Sequence, residues 1–147
     1  MMKYIKEWLP WIISLATTVL SFHFYPDWIK MDALIEKFPE IGTFTFGFLL
    51  TLFGLIHQGS STVINNFKRQ RSLYKRFVHL NRNAVFVSLF LTLYTYMMNN
   101  IIDLNEGETI FNKVSVALFS GGLVYFGIIS VYFLMVFYKL VEIDTEI

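Results

Sequence analysis

Positions lacking Asp, Glu, Lys and Arg fall into four long runs, residues 8–26, 41–67, 83–102 and 114–138. A bilayer hydrocarbon core of roughly 30 Å is crossed by about 20 helical residues, and each run is long enough. The alternation of a membrane barrel strand is absent, and lipid cannot satisfy an unpaired backbone, so helices are the form expected. The pattern predicts an all-α polytopic membrane protein in one domain, residues 1–147. Its four transmembrane helices are expected at about 8–26, 41–60, 83–102 and 114–138.

The first run follows Lys3 and Lys6, as a signal peptide would, but the stretch Ser21-Phe22-His23-Phe24-Tyr25 lacks a small-x-small cleavage pattern. Trp8 and Trp11 sit where interfacial anchors belong. We expect a mature helix, with Pro10 in its first turn, where a missing N–H costs nothing. Ser14, Thr18, Ser21 and Tyr25 form a small-polar seam expected to dock on the second helix. Between the first two spans, Trp28, Met31, Leu34, Ile35 and Phe38 interleave with Lys30, Asp32, Glu36 and Lys37. Residues 28–38 are therefore expected to form a short amphipathic helix on the outer membrane face.

The second run passes His57 and Gly59 without a proline and enters a basic stretch, so one helix from about residue 43 to about residue 80 is expected, with Gly59 as its weak point. The part beyond the membrane, residues 61–81, would be a cytoplasmic basic helix. Three- and four-residue steps then collect Thr43, Gly47, Thr51, Gly54, Gln58, Ser61, Asn65, Arg69, Ser72, Arg76 and His79 on one face. The opposite line reads Leu49, Leu52, Ile56, Val63, Phe67, Tyr74 and Phe77. Two meanings compete for the small and polar face. Small residues let helices approach closely. Alternatively, copies of this helix line a pathway in an oligomer, with Arg69 and Arg76 at a positive mouth.

Charge supplies the orientation. Of twelve Lys and Arg residues, six lie between the second and third runs: Lys68, Arg69, Arg71, Lys75, Arg76 and Arg82. By the positive-inside rule this connection is cytoplasmic, as are both termini, in a multi-pass protein of the inner (cytoplasmic) membrane. The loop around Asp103, Glu106, Gly107 and Glu108 is then an outer, solvated turn. The chain is 55% hydrophobic with a formal net charge of +1, too apolar and too sparsely charged for the surface of a soluble domain. Attraction of the six basic residues to anionic headgroups or to an acidic cytosolic protein partner fits better than nucleic-acid binding. Tyr74 and Phe77 fall on the face opposite the charges and cannot stack on bases beside them.

Chemistry-bearing patterns are missing. The chain has no cysteine, and His23, His57 and His79 are too scattered for a metal site. None of the four runs carries an ionisable Asp, Glu, Lys or Arg, which argues against proton relays, voltage sensing and ion-coupled transport. No catalytic or phosphate-binding fingerprint is present, so no enzyme activity and no cofactor are expected. In the third run, Tyr94, Tyr96, Asn99 and Asn100 read as interfacial anchors or caps; in the fourth, Ala117, Gly121 and Gly122 mark a close contact or a kink.

The succession "WLPWIISLATTVLSFHFYP", an amphipathic outer loop, "TFTFGFLLTLFGLIHQGSS", the basic "FKRQRSLYKRF" and two closing spans resembles small four-span membrane proteins of phage-defence loci. Examples are RexB-like phage-exclusion proteins and the membrane subunit of Kiwa systems. The resemblance covers most of the chain in architecture and implies a homo-oligomeric effector or sensor, signalled through its basic helix, that changes membrane permeability. A non-conducting membrane anchor or adaptor that docks a cytosolic protein is the alternative.

Overall fold

A computed structural model describes residues 2–24, 31–59, 62–101 and 109–145. They form an all-α fold of four long helices and one short one: α1 Met2–Phe24, α2 Met31–Gln58, α3 Thr62–Arg69, α4 Arg71–Ile101 and α5 Ile110–Thr145. Two are long and apolar enough to cross a membrane, Ala33–Gln58 of α2 and Ile110–Lys139 of α5. Trp8–Phe24 of α1 is a shorter apolar helix.

Cross-helix pairs give the topology. Ser14 of α1 meets Gly121 of α5, and Trp11 meets Tyr125, so α1 and α5 are antiparallel. Phe77 and Phe133 meet in a tilted ring contact, centroids 5.3 Å apart, at one end of the α4–α5 pair, while Tyr94 bonds Ser115 towards the other. α2 opposes α4 through the pairs Ile35–Asn99, Gly42–Ser88 and Leu49–Asn81. The long helices therefore run alternately up and down, and the basic segment shares its end of the bundle with the first residues of α1 and the last of α5.

The α4 seam is heptad-like. Phe77, Asn81, Ala84, Ser88, Leu91, Thr95 and Met98 are all buried, at alternating steps of four and three. Every second member is polar, and these polar groups reach backbone carbonyls. Asn81 Nδ2 donates to Leu49 O at 3.1 Å, Ser88 Oγ to Gly42 O at 2.9 Å, and Thr95 Oγ1 to Leu91 O at 2.9 Å. Gly42 makes the approach possible, since a Cβ there would overlap Thr92 Oγ1. Apolar members build two clusters: Leu49, Ile56, Phe77, Ala84, Ile129, Phe133 and Val136 at the basic end, and Ile35, Phe38, Leu91, Met98, Val116 and Phe119 at the other.

Outward faces are apolar. Leu15 and Val19 of α1, Phe44 and Leu55 of α2, Phe86 and Phe90 of α4, and Leu118 and Leu134 of α5 are all exposed. Meanwhile Asn112, Ser115 and Ser120 of α5 are buried along with the polar members of the α4 seam. This inverts the distribution of a water-soluble bundle, where large apolar side chains cover the core and polar ones the surface.

Several expectations change. Residues 31–38 are not a separate surface helix: they are the first turns of α2, which runs through Pro39. Proline at that position removes the N–H that would bond the carbonyl of Ile35. Asn99 Nδ2 of α4 supplies a substitute donor at 3.4 Å, so the helix continues. Pro10 likewise sits inside α1, which begins at Met2, and not in its first turn. The polar seam of α1 docks on α5, not on the second helix. Ser14 Oγ donates to Gly121 O at 2.8 Å, and a Cβ on Gly121 would overlap Thr18 Oγ1, a fit that only a small residue on the facing helix allows.

The largest correction concerns the second helix, which does not extend to residue 80. It ends at Gln58, and the chain reverses through α3. Along one continuous helix Lys68 would lie about 16 Å from His57, at 1.5 Å per residue. Instead Lys68 Nζ donates to His57 O at 2.8 Å and to Gly59 O at 3.1 Å, and Tyr74 OH lies 3.2 Å from His57 Nδ1. The reversal is what lets Phe77 pack with Leu49 and Ile56 of α2. Residues 71–81 thus belong to the third long helix.

Candidate functional site

Reversal of the chain divides the predicted stripe. Thr43, Gly47, Thr51, Gly54 and Gln58 lie on α2, Asn65 and Arg69 on α3, and Ser72, Arg76 and His79 on α4, so the single line from 43 to 79 does not exist. Ser61 lies outside the described residues.

What remains on α2 is coherent. Ile35, Phe38, Gly42, Leu49 and Ile56 are buried on the side facing the bundle, while Thr43, Gly47, Thr51 and Gln58 are exposed and Gly54 half-buried. Beside Gly47 and Gly54 there is open space: a Cβ on either would meet nothing within 4 Å. The threonines are satisfied locally. Thr43 Oγ1 donates to Pro39 O at 2.7 Å and Thr51 Oγ1 to Gly47 O at 2.9 Å. Such back-bonding gives the hydroxyl proton a partner on its own helix and leaves oxygen lone pairs outward, so the face tolerates an apolar neighbour and still offers acceptors. The arrangement combines closeness of approach with mild polarity, and no described part of the chain covers it.

The six basic residues do not act alike. Lys68 is half-buried and caps the C-terminal end of α2, where unbonded carbonyls and the helix dipole attract a cation. Arg69, Arg71, Lys75, Arg76 and Arg82 are exposed and have no ion-pair partner among the described residues. Arg71, Lys75 and Arg82 share one face of α4 with His79, at steps of four, four and three residues, and His79 Nε2 lies 3.3 Å from Asn83 Nδ2.

Uncharged runs do not reveal the buried polar residues of α4, of which Asn81 and Ser88 bond across to α2 and Thr95 bonds within its own helix. Asn81, Ser88 and Thr95 recur every seven positions, and that period is the signal that reveals the α4 seam. Tyr94 and Asn99, expected as anchors or caps at the interface, instead tie α4 to Ser115 of α5 and Ile35 of α2. Asn100 Nδ2 donates to Tyr96 O at 2.7 Å, within its own helix. Asp103, Glu106, Gly107 and Glu108 lie outside the described residues.

No family model matches the chain, and neither a curated protein nor a solved structure matches it.

Proposed function

We propose that the chain is a four-span integral membrane protein that self-associates through the outer face of α2 and acts, as an oligomer, on membrane permeability. The observation that carries this reading is the open Gly47–Thr51–Gly54 face, next to which the described residues place nothing within 4 Å of a Cβ on either glycine. Lipid is a poor partner for a groove of small residues, whereas a second helix packs closely against one. Support for the four spans comes from the inverted exposure pattern: all four long helices turn large apolar side chains outward. The exposed cations of α3 and α4 support a cytoplasmic basic end, by the positive-inside rule. They would also give an assembly a positive inner mouth. Phage-triggered permeabilisation is the setting that the architectural resemblance suggests.

Planar-bilayer recording of reconstituted protein tests the reading. A conductance that falls on Thr51→Leu and changes ion selectivity on Arg76→Glu is expected. Unchanged currents from variants shown to be assembled would remove the pore.

A second reading draws on a separate observation, the exposed Arg69, Arg71, Lys75 and Arg76, which have no ion-pair partner among the described residues. A membrane adaptor would use them to dock an acidic cytosolic protein. Capture of a partner that is lost on reversing these four charges, from a protein that conducts nothing, would favour it.

A further inference from the structure

Where α4 emerges at the basic end, Tyr74, Lys75, Val78, His79 and Arg82 line an open, shallow surface depression of about 280 Å³. Its chemistry is two-sided. Lys75 and Arg82 bring two cations, and His79 adds an imidazole whose Nε2 lies 3.3 Å from the Asn83 amide nitrogen. The Tyr74 ring and Val78 are apolar and pack from the other side against the core cluster of Leu49, Phe77 and Phe133.

The pocket is continuous with a second feature. Beyond Arg82 the same side of α4 carries Phe86, Leu89, Phe90 and Leu93, all exposed. Arg82 to Leu93 spans about 16 Å at 1.5 Å per residue, close to half of a hydrocarbon core roughly 30 Å thick. A cationic pocket heading an apolar lane one leaflet long matches an amphiphile with an anionic head. A soluble phosphate would use the pocket and leave the lane idle.

We propose that Lys75, His79 and Arg82 bind the phosphate head of one anionic glycerophospholipid, whose acyl chain lies along Phe86, Phe90 and Leu93. The site rests on the membrane reading above. It differs from diffuse attraction to a charged surface in requiring particular residues: Arg69 and Arg76, equally cationic, are outside the pocket.

Native mass spectrometry of the full chain in detergent tests this with phosphatidylglycerol and phosphatidylcholine of identical acyl chains as probes. Retention of the anionic lipid about tenfold above the zwitterionic one is expected. The Lys75→Gln/Arg82→Gln pair should lower it about thirtyfold, from two lost contacts of about 1 kcal/mol each, the strength basic residues make with anionic surfaces. Arg69→Gln/Arg76→Gln should leave it within about twofold. Equal losses in the two pairs would reveal only a diffuse field and overturn the site, as would full displacement by inorganic phosphate, which would show that the lane contributes nothing. Carbonate extraction of the protein from vesicles keeps the two failures apart. A chain that resists extraction while both pairs bind alike refutes the site alone; a chain that is extracted refutes the membrane reading and the site with it.

Discussion

Asn99 on α4 donates its side-chain amide, at 3.4 Å, to the carbonyl of Ile35, the acceptor that Pro39 leaves without its helical donor. One residue thereby repairs the helix defect created by another sixty positions earlier in the chain. α2 runs unbroken through the proline and carries Ile35 and Phe38 into the core.

A double-mutant cycle measures this coupling. Asn99→Ala is expected to destabilise the protein by about 0.5–1 kcal/mol in a Pro39-containing background, the range of a single long hydrogen bond. In Pro39→Ala, whose new N–H bonds Ile35 O directly, the same substitution should cost almost nothing. Unfolding titrations in mixed micelles give the four free energies; equal costs in both backgrounds would break the link.

Two glycines one and a half turns apart should respond in opposite ways. Gly42→Ala drives a methyl group into Thr92 Oγ1, which is itself bonded to Ser88 O at 2.8 Å, so a loss of about 1–3 kcal/mol is expected. Thr92→Ala should recover much of it. Gly47→Ala faces open space and should leave stability unchanged or raise it by up to about 1 kcal/mol through helix propensity. Thermal unfolding of the three variants in detergent checks the contrast.

Gly121→Ala should loosen α1 from α5. A Cβ there meets Thr18 Oγ1 and also the carbonyl of Ser14 at 3.0 Å, and backbone cannot rotate away. Thr18→Ala is therefore expected to rescue Gly121→Ala only in part, unlike the Gly42 pair. Proteolysis or hydrogen exchange of 8–24 reports the loosening, which should leave the α2–α4 seam protected.

Lys68→Met should act on structure, while Arg69→Gln should not. Losing the bonds to His57 O and Gly59 O removes a cation from the α2 C-terminus, at a cost of about 1 kcal/mol. Faster hydrogen exchange at 55–59 is the expected signature, with Lys68→Arg restoring part of the protection.

The four long helices were legible because uncharged runs of membrane-spanning length leave few other forms. Their junctions were less so. Pro39 reads locally as a boundary, yet α2 runs through it, and the carbonyl it leaves without a helical donor meets Asn99 of another helix. Gln70 carries no local sign of a break, yet α3 ends beside it and α4 begins at Arg71. The reversal there is dictated at a distance, by the packing of Phe77 against Leu49, Ile56 and Phe133. Leu49, Leu52, Ile56, Tyr74 and Phe77 of the predicted apolar line do pack together, but from α2 and α4 and not from one continuous helix; the side chains of Val63 and Phe67 lie outside the described residues. For the candidate site, spacing alone brought out Thr43, Gly47, Thr51 and Gly54, because α2 spans them all. Spacing also joined them to Arg69 and Arg76, which lie on other helices. The role of Lys68 as a cap depended on a fold-back that periodicity does not encode.

Self-association through the outer face of α2 is most directly tested by cross-linking in the membrane. The chain has no cysteine, so single cysteines report without background. Gly47→Cys and Thr51→Cys are expected to form disulfide-linked dimers under mild oxidation, since cysteines must bring their Cα atoms to about 6 Å to bond. Leu15→Cys on α1 and Phe90→Cys on α4, exposed on other faces, should remain monomeric. Monomeric Gly47→Cys, or equal cross-linking from all three helices, would contradict the assembly.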